Sequence, residues 1–133
     1  RGLPPDAVDD AVARLVRAGA LDDARAVRAA ARTLVAVKLR GRYRVARELE
    51  RLGFPPAVVE HALAEIMGDT DERAVISRVV AARLGGKSRI PDPAAYRRLY
   101  GALLRRGFPG PLIRDTLRPY WGSRSAPVDE SGG

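Results

Sequence analysis

Three stretches of the chain align without a gap, and this recurrence limits the fold more than any other feature. They are Gly2-Leu3-Pro4-Pro5 running to Val12, Gly53-Phe54-Pro55-Pro56 running to Leu63, and Gly107-Phe108-Pro109-Gly110 running to Leu117. The glycines at 2, 53 and 107 are spaced by 51 and 54 residues. In each stretch a helix ends at glycine, one large apolar residue (Leu3, Phe54, Phe108) tucks in beside the turn, and a proline-started helix follows. Glycine suits the left-handed position past a helix end, and the next apolar residue packs back on the ending helix. Proline suits the first helical turn, where its missing N–H costs nothing. The preceding helix repeats in part, since Arg44, Leu49 and Arg51 correspond to Arg98, Leu103 and Arg105. A tandem unit of about fifty residues follows.

Periodicity and punctuation place helices at about 5–17, 21–38, 42–52, 56–67, 71–84, 93–106 and 110–118. Val45, Leu49 and Leu52 make one stripe; Val59, Ala62, Leu63 and Ile66 make another. Both have the 3.6-residue period of a one-sided helix. Aromatics are only 5% of a chain that is 46% hydrophobic, so the apolar content is largely Ala, Val and Leu. That favours helices packed on helices over a sheet. The expectation is an all-α protein of tandem three-helix repeats in an elongated, curved array. Residues 1–18 are read as the last helix of a truncated first repeat, 19–68 as the second repeat, 69–121 as the third, and 122–133 as a disordered tail. Asp22, Asp23 and Asp92 stand at helix starts, where a carboxylate accepts from free amides.

The chemistry is that of a binding surface. Lys and Arg number 24 against 16 Asp and Glu, for a formal charge of +8, which points to an anionic or acidic partner. There is no cysteine and one histidine, so a thiolate nucleophile, a Cys-ligated metal or a multi-His site lacks material. His61, among apolar neighbours, is expected to be a partly buried structural residue. No catalytic residue, metal or cofactor is assigned. No apolar run of about 18 residues is present to span a membrane, and the absence of a leader pattern sets the expected address as the cytoplasm. The basic residues cluster. Lys38, Arg40, Arg42, Arg44, Arg47 and Arg51 form one group; Lys87, Arg89, Arg97, Arg98, Arg105 and Arg106 form a second. On a helix 42–52, Arg44, Arg47 and Arg51 share a face distinct from Val45 and Leu49. If the units stack, Arg44 and Arg51 gain counterparts in Arg98 and Arg105, giving a repeated basic ridge for phosphates or a protein polymer. A stand-alone basic helical DNA-binding domain is the alternative.

Leu21-Asp22-Asp23, then Lys38-Leu39-Arg40-Gly41, then Arg44, Glu48-Leu49 and Leu52-Gly53-Phe54 together resemble the middle repeat of the RecX family. Leu103-Leu104-Arg105-Arg106-Gly107-Phe108-Pro109 through Leu117 is similar to that family's last repeat. The likeness covers residues 1 to about 120. It implies a non-catalytic regulator of recombination and repair that binds the RecA recombinase filament on DNA. It further implies inhibition of ATP hydrolysis and strand exchange, and leaves open whether DNA phosphate is contacted directly. The family's acidic pair falls on Asp22 and Asp23. Its basic stretches fall on Lys38, Arg40, Arg44 and Arg47 and on Arg98, Arg105 and Arg106. A monomer with no membrane partner is expected.

Overall fold

The computed structural model describes residues 22–128, and these form helices and connecting turns with no strand among them. Helix α1 covers 22–36, followed by α2 (Arg42–Arg51), α3 (Pro56–Gly68), α4 (Glu72–Leu84), α5 (Pro93–Arg105) and α6 (Gly110–Trp121). They fall into two successive groups of three. The expected helix at 5–17 and the aligned stretch at Gly2 lie outside the described residues.

The two aligned turns inside the described region have the same geometry. After α2, the Gly53 N–H donates to the Glu50 carbonyl and the Phe54 N–H to the Leu49 carbonyl. After α5, Gly107 donates to Leu104 and Phe108 to Leu103. Both glycines have φ of 99°. This is the Schellman closure, in which the last carbonyls of a helix are satisfied by the two residues past its end. Phe108 is fully buried and Phe54 half-buried, each packed against the core.

The stripes face inward as their period requires, except at Leu52, which lies just past the last residue of α2 and is exposed. Val27, Ala31 and Val35 of α1 lie four apart and are buried, as are Val45 and Leu49 of α2 and Val59, Ala62 and Ile66 of α3. Ile76, Val80, Tyr96, Leu103, Ile113 and Leu117 continue them, so one apolar cluster runs through both groups. Asp71 caps α4 by accepting from the Ala74 N–H at 3.2 Å, and Asp92 caps α5 by accepting from Ala95 at 2.8 Å. Such caps are worth about 1 kcal/mol each.

The described helix ends agree with the sequence reading to within two residues except at the end of α6, and the segment after it also differs. Helix α6 continues past Pro119 to Trp121, although proline there forgoes one backbone bond. The buried Trp121 ring sits 5.1 Å from that of Tyr96, and the Tyr120 carbonyl accepts from the Ile90 N–H, so packing holds the last turn. Residues 122–128, placed by the sequence in a disordered tail, instead fold over that ring. Arg124 stacks 3.4 Å from the Trp121 ring centroid and donates to the carbonyls of Trp121 and Ile90, while the indole N–H donates to Ser125. Arg124 covers the indole face as a cation over a π-system.

Candidate functional site: an arginine-lined joint

The site lies where the two groups meet, and backbone atoms make the joint. The N–H of Gly41, just before α2, donates to the Arg106 carbonyl at 2.7 Å, and the Tyr43 N–H donates to the Gly107 carbonyl at 3.1 Å. A helix start leaves N–H groups unpaired and a helix end leaves carbonyls unpaired. Here the end of α5 supplies what the start of α2 lacks, and the two opposed dipole ends attract. That is why α2 needs no side-chain cap, and Gly41 carries none. The approach is close enough that a Cβ on Gly41 would come within 2.5 Å of the Gly107 carbonyl carbon, and one on Gly107 within 2.2 Å of the Arg44 nitrogen.

Side chains bolt the same joint. Arg44 donates to the Arg105 carbonyl at 3.1 Å and pairs with Glu48 at 2.7 Å. Arg106 reaches back to the carbonyls of Lys38 at 3.0 Å and Leu39 at 3.3 Å. Leu39 is in the left-handed region at φ 55°, a conformation that costs a non-glycine residue about 1 kcal/mol and that aims its carbonyl at this bond. On the other side of α2, Arg42 forms a two-pronged ion pair with the buried Glu72 of α4, its Nε at 3.0 Å from Oε1. That carboxylate raises the Arg42 pKa through its hydrogen bond first, against desolvation, which lowers it.

Five arginines line a cavity of about 260 Å³ at the joint, Arg40, Arg44, Arg83, Arg105 and Arg106, together with Ala102. Burial, followed by the charges of Arg40 and Arg83, pushes the Arg106 pKa below its usual range. A second cavity beside it is lined by Arg83 and Arg98 together with Leu84, Ile90, Ala95 and Leu99, so the basic surface continues along α5.

The ridge expected from sequence is therefore only partly assembled. Arg40, Arg44, Arg105 and Arg106 come together, and Arg98 stands on the adjoining surface. Arg51 does not join them. Lys38, Arg47, Arg51 and Arg97 are exposed and form no ion pair among the described residues. Arg42, expected on the ridge, is instead the clamp on Glu72, because α2 turns its side chain to α4. Asp22 pairs loosely with Arg25 at 3.7 Å on the exposed start of α1, with Asp23 half-buried beside it. His61 is also corrected: it is exposed and meets Glu65 at 2.9 Å on the outer face of α3. Two residues that sequence reasoning passed over are Arg83 and Glu72. Arg83 is one of a scatter of arginines with no motif. Glu72 carried a faint signal, as an acidic residue two positions past Thr70 at a helix start.

Together the helices and the joint define an all-helical protein of successive three-helix groups with a basic surface between them. Among the described residues no helix is long and apolar enough to cross a membrane, and no group of three His, Cys, Asp or Glu could hold a metal ion. Residues 71–117 match the family model described as RecX, third three-helix domain. A Regulatory protein RecX of Trichlorobacter lovleyi is 38% identical over 108 residues, covering 78% of this chain and 68% of that protein. One of Geobacillus kaustophilus is 30% identical over 118 residues, 88% of this chain and 43% of that protein. One of Amycolatopsis mediterranei is 27% identical over 135 residues, 98% of this chain and 76% of that protein. No solved structure gives a significant match. The chain belongs to the RecX family.

Proposed function

We propose that this protein is a regulator that binds the RecA recombinase filament on DNA and inhibits its ATP hydrolysis and strand exchange. In this reading 19–68 and 69–121 are its second and third three-helix repeats. The observation that carries it is the convergence of arginines from both helix groups on one joint, Arg40 and Arg44 facing Arg105 and Arg106, with Arg98 alongside. A filament repeats one subunit along a helical groove with DNA phosphate near its axis. A tandem helical protein with arginines at its joint is suited to lie in that groove and bridge neighbouring subunits. There it competes with incoming duplex and hinders the subunit motions that accompany hydrolysis. Attraction of this kind weakens with salt.

The test is ATP hydrolysis by a DNA-bound recombinase filament, with and without this protein, across a salt series. Inhibition that fades as salt rises is expected. The variant Arg83→Glu/Arg98→Glu/Arg105→Glu changes exposed side chains that line the basic surface and donate none of the joint's hydrogen bonds. It is expected to keep its helicity and lose most of the inhibition. Undiminished inhibition by that variant overturns the account of the basic surface. Tight DNA binding without any effect on the recombinase supports the stand-alone DNA-binding alternative.

A further inference from the structure

The cavity at the joint carries more cationic charge than the fold uses. Of its five guanidinium groups, Arg44 and Arg106 are committed to backbone carbonyls across the joint. Among the described residues Glu48 is the one carboxylate paired with these arginines. It bonds Arg44, and its Oε1 makes only a long ion pair with Arg40 Nε at 3.8 Å, beyond hydrogen-bond reach. Arg40 Nε is itself buried with no protein acceptor among the described residues. Arg83 and Arg105 meet no carboxylate among those residues either, although Asp and Glu pair with arginine elsewhere on the molecule. A buried donor without an acceptor costs about 1–3 kcal/mol. Like charges gathered at one place add repulsion, and the Arg106 pKa is depressed first by burial and then by the charges of Arg40 and Arg83. An anion seated among these groups removes both penalties.

The chemistry of the donors selects the anion. One guanidinium fork satisfies one carboxylate. Two arginines without a carboxylate partner, Arg83 and Arg105, and the unsatisfied Nε of Arg40 beside a single cavity match a group with three or four oxygens arranged tetrahedrally. We propose that this cavity is a binding site for one phosphate group, gripped by Arg40, Arg83 and Arg105, while Arg44 and Arg106 hold the walls. The assignment stands on the joint's geometry and does not require that the chain act on a recombinase. The phosphate has two possible sources, a free polyphosphate or the backbone of a nucleic acid.

The experiment titrates the full chain, with no recombinase present, with inorganic pyrophosphate and separately with a short single-stranded oligonucleotide. Calorimetry and phosphorus NMR report binding, with sodium chloride matched for ionic strength. One saturable pyrophosphate site is expected. Arg83→Ala and Arg105→Ala change exposed side chains that make no hydrogen bond or ion pair among the described residues, and each is expected to weaken that site about tenfold, the loss of one charge-assisted fork. Arg51→Ala removes the same charge away from the cavity and is expected to change affinity less than about twofold. Pyrophosphate that displaces the oligonucleotide, with Arg83→Ala weakening both ligands, identifies a backbone phosphate as the natural source. Saturable pyrophosphate binding that leaves oligonucleotide binding untouched identifies a free polyphosphate. Absence of saturable pyrophosphate binding, or equal weakening by Arg51→Ala and Arg83→Ala, overturns the site.

Discussion

Three glycines separate two costs that usually arrive together. Gly53 and Gly107 occupy equivalent turns with the same φ of 99°. Around Gly53 a Cβ meets nothing within 4 Å; at Gly107 it meets the Arg44 nitrogen at 2.2 Å. Gly41 has an ordinary φ of −87°, but its Cβ would meet Gly107 backbone at 2.5 and 2.6 Å. Gly53→Ala therefore tests the backbone conformation alone, which costs an L-residue about 1–2 kcal/mol. Gly41→Ala tests the joint alone. The obstructing atoms are main chain, so no rotamer change relieves them, and the joint must part. Parting gives up the bonds from Gly41, Tyr43, Arg44 and Arg106 across it. At about 1 kcal/mol each net, the loss is about 3–4 kcal/mol. Gly107→Ala incurs both, about 5 kcal/mol, a large share of the stability of a small domain. Urea unfolding followed by circular dichroism measures all three, and a parted joint also lowers the denaturant dependence of Gly41→Ala, because less surface remains to be exposed. If Gly41→Ala lies within about 0.5 kcal/mol of the parent, the ordinary range for a harmless surface change, or if Gly53→Ala equals Gly107→Ala, the backbone joint is not as described.

The Arg42–Glu72 clamp predicts an asymmetry. Arg42→Ala strands a carboxylate that is 6% exposed and is expected to cost about 3–5 kcal/mol, whereas Glu72→Ala frees a half-exposed guanidinium to rehydrate and costs less; urea midpoints of the two variants check the order. Burial raises the Tyr96 pKa in the folded protein. Its hydroxyl thus keeps a proton that the unfolded chain releases from about pH 10, so stability is complete below that pH and falls as pH rises towards the folded value. Tyr96→Phe is expected to flatten the fall, as read from unfolding midpoints between neutral and alkaline pH. Trp121 is the sole tryptophan, so its emission reports the strap at 122–128. Arg124→Ala is expected to shift that emission to longer wavelength without loss of helicity; an unchanged spectrum contradicts the stacking.

Local physics made the helices and their turns legible in advance. Gly53-Phe54 and Gly107-Phe108 follow their helices with the residue that takes a positive φ most readily and an apolar residue to close the turn, and both closures have that form. Asp92-Pro93 marked the start of α5 by a cap and a preset φ. The joint was not legible, because it depends on backbone groups that every residue carries. Nothing about Gly41 as a letter says that Gly107 lies against it. The division of labour among the arginines was hidden for the same reason. Arg42 and Arg44 are two positions apart on one helix, yet α2 points one at Glu72 and the other at Arg105. The strap at 122–128 looked like tail by composition, and it is held by one guanidinium that finds an indole face.

The way α2 begins on the end of α5 has a wider consequence. Its first two contacts join peptide groups and involve no side chain, so the placement of α2 against α5 is set by a geometry that substitutions cannot easily retune, provided the two glycines stay bare. Side chains around that hinge-free corner are then released to diverge. A lineage can repaint the corner, from cationic to neutral or acidic, and change what the protein grips while the seating of α2 on the end of α5 is inherited unaltered.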